Sequence, residues 1–534
     1  MSLGDREILE LTELCGALVD GGLTESRRTR LAQLLRESEA ARRYYVRAMG
    51  QSASLHGYAA EMHADAPEGR FRKGRFLRFP AWLAIGFAAA AALAVGLFFP
   101  SSARRSDPVS APAREEFVAR LTAAKDSEWH DKAAVLQPGA YLRRGQRIEL
   151  DAGYLEITFD SGARVVIEGA ASLDINSAWD ATLRHGTLKA SVPAEAIGFR
   201  ISNPFVDVFD LGTEFTIIAD AKGATEVLVN KGAVEAAPRT SGDFETILLR
   251  ENEARRFAES GVSDVSDRER KLALFNQPLA LERFAPAIKY VHWAFDETTG
   301  ALRADGPLAV AGASDVELLA APPAAKPTRV ESGRQRALRF DGQTYAKARL
   351  MGISSSMPRT VAFWVKVPVE AQPLDTWMVA WGTKLRKLGY RPVHISWNRR
   401  PGDGALGALR TDFGGGHAIG TMSLRDGKWH HIAVYFAVGE NPDSPVQVKQ
   451  YVDGRLESST IVPGLVRAPA GKGDATIADT VWLGYRLTGR KQEGRRFRGE
   501  IDELFIADRA LQPSEIVSLM KDNRLPVTGL AIAR

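Results

Sequence analysis

A chain of 534 residues is long enough for about three or four folding units, and its 45% hydrophobic and 25% charged residues exclude a wholly disordered, collagen-like or polytopic membrane protein. Seventy Lys+Arg against 65 Asp+Glu leave a net charge of only +5, too small a surplus over this length to point to nucleic acid. The single cysteine, Cys15, excludes a disulfide framework and every multi-thiolate zinc or iron–sulfur site.

At the N-terminus the apolar positions Ile8, Leu11, Leu14, Cys15 and Leu18 recur at helical spacing until Asp20-Gly21-Gly22 stops the helix. Thr24 is suited to cap a second helix carrying Leu31, Leu34 and Leu35, and a third stretch from Glu39 holds Tyr44, Tyr45, Ala48, Met49 and Leu55. Residues 1–68 thus read as a small helical head with little core of its own, which leaves a face for a partner. From Phe79 to Ala103 there is no charge, and Ala81 to Phe99 is almost wholly apolar. At 1.5 Å per residue that run spans a hydrocarbon core of about 30 Å, so a transmembrane helix is expected over 79–100. Arg70, Arg72, Lys73, Arg75 and Arg78 crowd its N-terminal side. The excess of positive charge there places the head in the cytoplasm and everything after about residue 100 outside, on the periplasmic or extracellular side of a bacterial inner membrane. The thiol distribution agrees, with Cys15 on the reducing side and none in the exported part.

Residues 101–116 form a Pro/Ser/Ala-rich linker. Over 117–258 short β-type runs alternate with turn residues: Tyr154 to Phe159, Arg164 to Ile167, Thr182 to Leu188, Phe199 to Ile201, Glu214 to Ile218 and Glu226 to Val229. This spacing predicts an all-β sandwich or roll. The run GFRISNPFVDVFDLGTEFTI, followed by EVLVNKGAVEA, resembles the core of the exported domain of FecR-type regulators, and LCGALVDGGLTESRRTRLAQLLRESEAARRYY in the head is similar to their anti-sigma segment. Pro204, Asp210, Leu211, Gly212, Thr213 and Phe215 carry the exported motif and read as structural: Leu211, Phe215 and Ile217 as core, Gly212 as a tight turn. Asp207, Asp210 and Glu214 read as solvent-facing carboxylates between core positions. Asn203 replaces the threonine usual in that family.

A polar linker of helical propensity covers 259–285, a β-rich region 286–522, and a tail 523–534. The segments VHWAFDETTG, RALRFDG, TVAFWVKV, RDGKWHHIAVYF, KQYVDGRL, VWLGYR and FRGEIDELFIADRALQPSEI follow in an order that resembles a laminin G-like, concanavalin A-type jelly roll. In TVAFWVKV, Val361, Phe363 and Val365 alternate with Ala362, Trp364 and Lys366, the pattern of one buried and one half-exposed sheet face. The resemblance brings hydrolases to mind through Glu500, Asp502 and Glu503. A retaining glycosidase needs two carboxyl groups about 5–5.5 Å apart, and the last acidic position of that family's motif holds Phe505, so no catalytic residue is assigned. Period-two geometry sends Glu500 and Asp502 to one face and Glu503 to the other, and His430 and His431, being adjacent, cannot jointly chelate a metal.

A sugar site needs aromatic rings beside amide or charged groups. Trp397, Asn398, Arg400, Asp412 and His417, in a Gly-rich hairpin, are the candidates for ligand binding, although Trp397 also reads as core. Related jelly rolls bind calcium through carboxylates, which singles out Asp296, Asp341 and Asp502; no other cofactor is implied. The expected fold class is a mainly β multidomain chain: a helical head, one transmembrane helix, a FecR-like β domain and a concanavalin A-like jelly roll. The two resemblances together imply a single-pass inner-membrane regulator, not an enzyme. It would hold an extracytoplasmic-function sigma factor on the inside, cross the lipid bilayer once, and sense a glycan or envelope protein outside. The alternatives are a membrane-tethered carbohydrate-binding or adhesion protein and a glycoside hydrolase.

Overall fold

The chain divides into two compact units, Met1–Asp107 and Pro108–Arg534. The structure, a computed structural model, describes residues 116–239, 246–275, 279, 281, 283–284, 286–320, 327–331, 336–350, 359–381, 393–413, 416–438, 446–462, 479–487 and 496–525, all within the second unit.

Long strands dominate the first part of this unit. Phe117–Trp129, Gln146–Phe159, Arg164–Ser177 and Asp180–Ser191 pair antiparallel in succession. The last of them then divides its partners. Its first residues pair in parallel with Arg200–Ser202, and its last residues pair antiparallel with Glu214–Ala219. That division folds the sheet over a core containing Phe159, Phe199, Phe215 and Ile217. The strands bend together where they carry glycine. Gly153 lies at φ 82°, and a Cβ there would stand 2.1 Å from the Asp126 carbonyl oxygen; at Gly186, with φ 104°, it would stand 2.5 Å from the Ala171 Cβ. Only glycine permits that approach.

The motif around Asp210 differs from its sequence reading at two positions. Phe215 and Ile217 are core, but Leu211 sits at the surface in the turn after Val206–Asp210, beside Gly212 at φ 93°. Asp210 is fully buried instead of facing solvent: Gly212 N–H donates to it at 2.6 Å, Thr213 N–H at 3.0 Å, and the Thr213 hydroxyl bonds it as well. Pro204 is exposed in the preceding turn. Asn203 is buried and ties two strands, donating to the Leu183 carbonyl at 2.9 Å and accepting from the Thr225 hydroxyl at 2.6 Å.

Burial pushes the Asp210 carboxyl up to about 6, against the pull of its three donors. A carboxyl raised in the folded state adds stability that is present below its ordinary value of 3.8 and lost as pH rises through about 6. The stability difference between the natural chain and Asp210→Asn, taken from urea midpoints, should therefore fall as pH rises across that window and level off above it. A difference independent of pH would contradict the assignment.

The second part is a two-sheet sandwich. One sheet runs Thr328–Glu331, Arg336–Asp341, Arg498–Ala507, Arg359–Lys366, Trp429–Val438, Val446–Val452, Arg455–Val462, with Tyr290–Trp293 also on Arg498–Ala507. The other runs Glu317–Ala320, Thr344–Leu350, Asp479–Leu483, Trp377–Trp381, Val393–Trp397, Ala408–Phe413, Gly416–Ser423. Between them lies a core that includes Trp293, Phe340, Phe363, Ile395, Trp397 and Leu483. The helix Pro513–Asp522 follows the last strand, opened by Pro513 and a capping box between Gln512 and Glu515.

The outer face of the first sheet is covered. Ala362, Ala433, Tyr435, Tyr451 and Phe505 belong to the core of the preceding β region, and the two tyrosines each contribute about 1.5–3 kcal/mol by burial. Polar groups fix the contact. Tyr435 donates to Asp160 Oδ1 at 3.1 Å, Tyr451 to the Asp160 carbonyl at 3.0 Å, and Lys449 forms an ion pair with Asp160. Gln447 Nε2 donates to the Phe117 carbonyl at 2.9 Å while its Oε1 accepts the Phe117 N–H at 3.0 Å.

These residues correct the expected fold class. The described chain is mostly β sandwich and jelly roll. Its only α-helices among the described residues are the short Arg268–Phe275 and Pro513–Asp522, and none of its helices is long and apolar enough to cross a membrane. The helical head over 1–68 and the span over 79–100 fall outside the described residues.

Candidate ligand-binding face

With the first jelly-roll sheet covered, the outer face of the second is the one to examine. Because the inward residues of these strands, such as Ala346, Leu483, Ile395 and Leu409, fill the core, alternate residues point outward. Register places Glu317, Lys347, Trp482, Ala380, His394, Asp412 and His417 in one row, each opposite the next, across all seven strands. Burial along that row is greatest in the middle. Glu317 and His417 are exposed, Lys347, Trp482 and Asp412 half-buried, Ala380 and His394 buried.

The segment following Asp479–Leu483 touches this middle. Leu487 N–H donates to His394 Nε2 at 3.0 Å, and the Arg486 guanidinium lies 4.6 Å from the ring centre of Trp377, itself edge-on to His394 at 5.1 Å. Burial holds His394 down at about 4, with Arg486 acting in the same direction and Asp412 opposing it. Its imidazole is therefore neutral at ordinary pH, and Nε2 serves as the acceptor that Leu487 needs.

Beside this segment three rings meet. Tyr345, from Thr344–Leu350, lies 4.9 Å from Tyr485 and 6.1 Å from Trp482, and Trp482 lies 5.1 Å from Tyr485. All three are half-buried. The Arg496 guanidinium sits 4.9 Å from the centre of Tyr345 and 5.9 Å from that of Tyr485, and donates to the Gln343 carbonyl. An apolar, partly wet aromatic cluster flanked by fixed donors can pack the C–H face of a sugar ring while bonding its hydroxyls. Tyr345 and Trp482 were readable as outward positions in TYAKARL and VWLGYR; their convergence with Tyr485 depends on register.

The five residues expected to bind ligand lie at the other end of this sheet. Trp397 is in the core, its indole donating to the Asp375 carbonyl at 3.3 Å under the Arg425 guanidinium. Asn398 is fully buried and holds the following loop, its Nδ2 lying 3.0, 2.9 and 3.0 Å from the carbonyls of Arg400, Gly404 and Ala405. Arg410 joins the rest, bonding Asp412 at 2.9 Å and Asp403 at 2.7 Å, while Arg400 stands 3.7 Å from Asp403. His417 is opposite Asp412. Asn398, Arg400 and Asp412 thus form one network around Arg410, from which Trp397 turns away.

The acidic residues of the closing strand belong to the covered sheet. Glu500 pairs with Arg339 at 2.7 Å. Glu503 does not point away from Asp502, as strict alternation would have it: a bulge opposite Phe363, with Glu503 at φ 50°, returns it to the outer side. There it lies 2.5 Å from His292 Nε2 and accepts from Asn523 at 2.8 Å. Asp502 is buried opposite Trp364. Asp296 accepts the Arg336 N–H at 3.2 Å, and Asp341 accepts the N–H groups of Gln343 and Thr344 in its own turn. Asp341 lies opposite Arg498, four residues along the strand from Asp502, a separation of about 13 Å. Among the described residues no group of three or more His, Cys, Asp or Glu is arranged to hold a metal ion.

Two packed sheets with this strand order define a jelly roll of lectin type, and residues 340–517 match the family model of the concanavalin A-like lectin/glucanase superfamily. No curated protein matches the chain. Among solved structures it is similar to domain 4 of an extracellular arabinanase from Geobacillus stearothermophilus in complex with arabinotriose, at 21% identity and a TM-score of 0.32, over 44% of this chain and all of that one. It is also similar to a carbohydrate-binding module of a Ruminococcus gnavus sialidase (12% identity, TM-score 0.25, 36% of this chain and 98% of that one). A sialidase of Trypanosoma rangeli gives 12% identity and a TM-score of 0.29 over 72% and 64% of the two chains.

Proposed function

We propose that the jelly roll binds a glycan on the outer face of its second sheet, through the cluster of Tyr345, Trp482 and Tyr485, and does so without cleaving it. The observation that carries this reading is the meeting of three half-buried rings with a guanidinium on the outer face of the second sheet, on the opposite side of the sandwich from the face that packs on the neighbouring β region. The lectin/glucanase family match over 340–517 supports it. A binding role is favoured over hydrolysis because Glu500 and Glu503 are engaged with Arg339 and with His292 and Asn523, on the opposite sheet. The sigma-factor reading depends on residues 1–78, which lie outside the described residues.

The test is a glycan array probed with the full chain, followed by titration of the best oligosaccharide. Trp482→Ala should weaken binding about thirtyfold, the equivalent of about 2 kcal/mol for an aromatic anchor. Trp429→Ala, on the other sheet, serves as the control. Binding that survives Trp482→Ala and Tyr345→Ala together would place the site elsewhere, and release of reducing sugar would show catalysis.

A further inference from the structure

Resting on the glycan-binding reading, the charges around the aromatic cluster carry a further step. Tyr345, Lys347 and Arg349 point outward from one strand at successive spacings of about 7 Å. Trp482 stands opposite Lys347, and Thr480 opposite Arg349. Arg496 lies over Tyr345, so three cations follow the line of that strand.

Three carboxylates near it are engaged. Glu317 pairs with Lys347 at 2.8 Å, Asp375 with Arg498 at 3.4 Å, and Asp341 with the amides of its turn. Arg349 and Arg496 have no ion-pair partner among the described residues. For the exposed Arg349 that means little, but Arg496 is only 8% exposed, and its Nε finds no hydrogen-bond partner among the described residues. A buried guanidinium is costly unless a counter-charge compensates it. The rings of Tyr345 and Tyr485 and the Gln343 carbonyl supply only part of that compensation.

We infer that the glycan taken here is a linear acidic one, its anionic oxygen groups received by Arg496 and Arg349 while its apolar ring faces pack on Tyr345, Trp482 and Tyr485. A neutral sugar would leave the Arg496 charge without a counter-charge among the described residues. A guanidinium matches carboxylate or sulfate equally well, so the shared chemistry is an anionic oxygen group on a sugar.

Titration of the full chain with trigalacturonate, galactotriose and sulfated galactotriose, followed by tryptophan fluorescence, tests this. The acidic trisaccharides should bind at least about tenfold tighter than the neutral one, and that preference should shrink as salt rises. Arg496→Gln should remove most of the preference. Arg349→Gln, a surface change that leaves folding untouched, should reduce it severalfold with the neutral sugar unaffected. The relative affinities of the uronate and sulfated forms identify which anionic group is read. Equal or tighter binding of galactotriose, or an unchanged preference in Arg349→Gln and Arg496→Gln, overturns the acidic-glycan inference and leaves glycan binding standing. Absence of binding by all three overturns both.

Discussion

Replacing Lys449 by alanine should lower the stability of the chain by about 3–5 kcal/mol, the cost of removing one member of a buried ion pair. Lys449 is 1% exposed, and its partner Asp160 belongs to the other β region. Without the ammonium, Asp160, whose side chain is only 13% exposed, keeps the Tyr435 hydroxyl at 3.1 Å as its one remaining side-chain partner, which compensates a largely buried carboxylate poorly. The contrast is a surface pair. Arg147 reaches Asp174 at 2.7 Å, but its side chain is 48% exposed and water screens the pair, so Arg147→Ala should cost far less than Lys449→Ala. Because Lys449 and Asp160 join the two β regions, the expected signature in urea includes a change of shape. The natural chain should unfold the two regions together, and Lys449→Ala should split or broaden the transition. Lys449→Met with Asp160→Leu, which removes both charges, should recover part of the loss while leaving Tyr435 without its acceptor. A Lys449→Ala midpoint equal to that of Arg147→Ala would mean that the pair does not lock the regions.

This interface shows which parts of the fold could be read from sequence. Alternation in TVAFWVKV assigned Val361, Phe363 and Val365 to one face and Ala362 and Trp364 to the other, and the sandwich core contains the first three. The second face was expected to be half-exposed, yet Ala362 is 1% exposed because another β region lies on it. Period two fixes side-chain parity but carries no information about what covers a face. The same limit explains Asp210 and Leu211. Alternation reads straight through the motif, whereas the chain turns at Gly212, which exposes the leucine and draws the aspartate inward to satisfy the turn's N–H groups. At Glu503 a bulge inverts the parity. On the outer face of the second sheet, sequence adjacency of aromatic and amide residues in the Gly-rich hairpin singles out Trp397 and Asn398. Tyr345, Trp482 and Tyr485 adjoin only through the pairing of Thr344–Leu350 with Asp479–Leu483, a contact spanning more than a hundred residues that no local pattern encodes.

Acidification should loosen the outer face of the second sheet before it unfolds the rest of the jelly roll. His394 titrates at about 4, against 6.5 for an ordinary histidine, because burial disfavours its charged form. A histidine depressed in this way contributes stability that is complete above pH 6.5 and lost as pH falls toward 4, since the unfolded chain takes up the proton first. The full shift corresponds to about 3 kcal/mol. His394→Gln keeps an acceptor for Leu487 but cannot titrate. The stability of the natural chain relative to this variant should therefore decline between pH 6.5 and 4, by roughly 1.4 kcal/mol per pH unit at its steepest. The local consequence is more specific. A protonated Nε2 is a donor and cannot accept the Leu487 N–H at 3.0 Å, and the imidazolium would also repel Arg486. Arg486 and Leu487 directly follow Tyr485, so their release would unseat one ring of the aromatic cluster while Tyr345 and Trp482 stay on their strands. Amide hydrogen exchange should show Leu487 losing protection near pH 4 while the amides of Arg359–Lys366 in the covered sheet keep theirs, with glycan affinity falling in the same range. In His394→Gln the Leu487 amide should remain protected at that pH; loss of protection at the same pH in both chains would remove His394 as the cause.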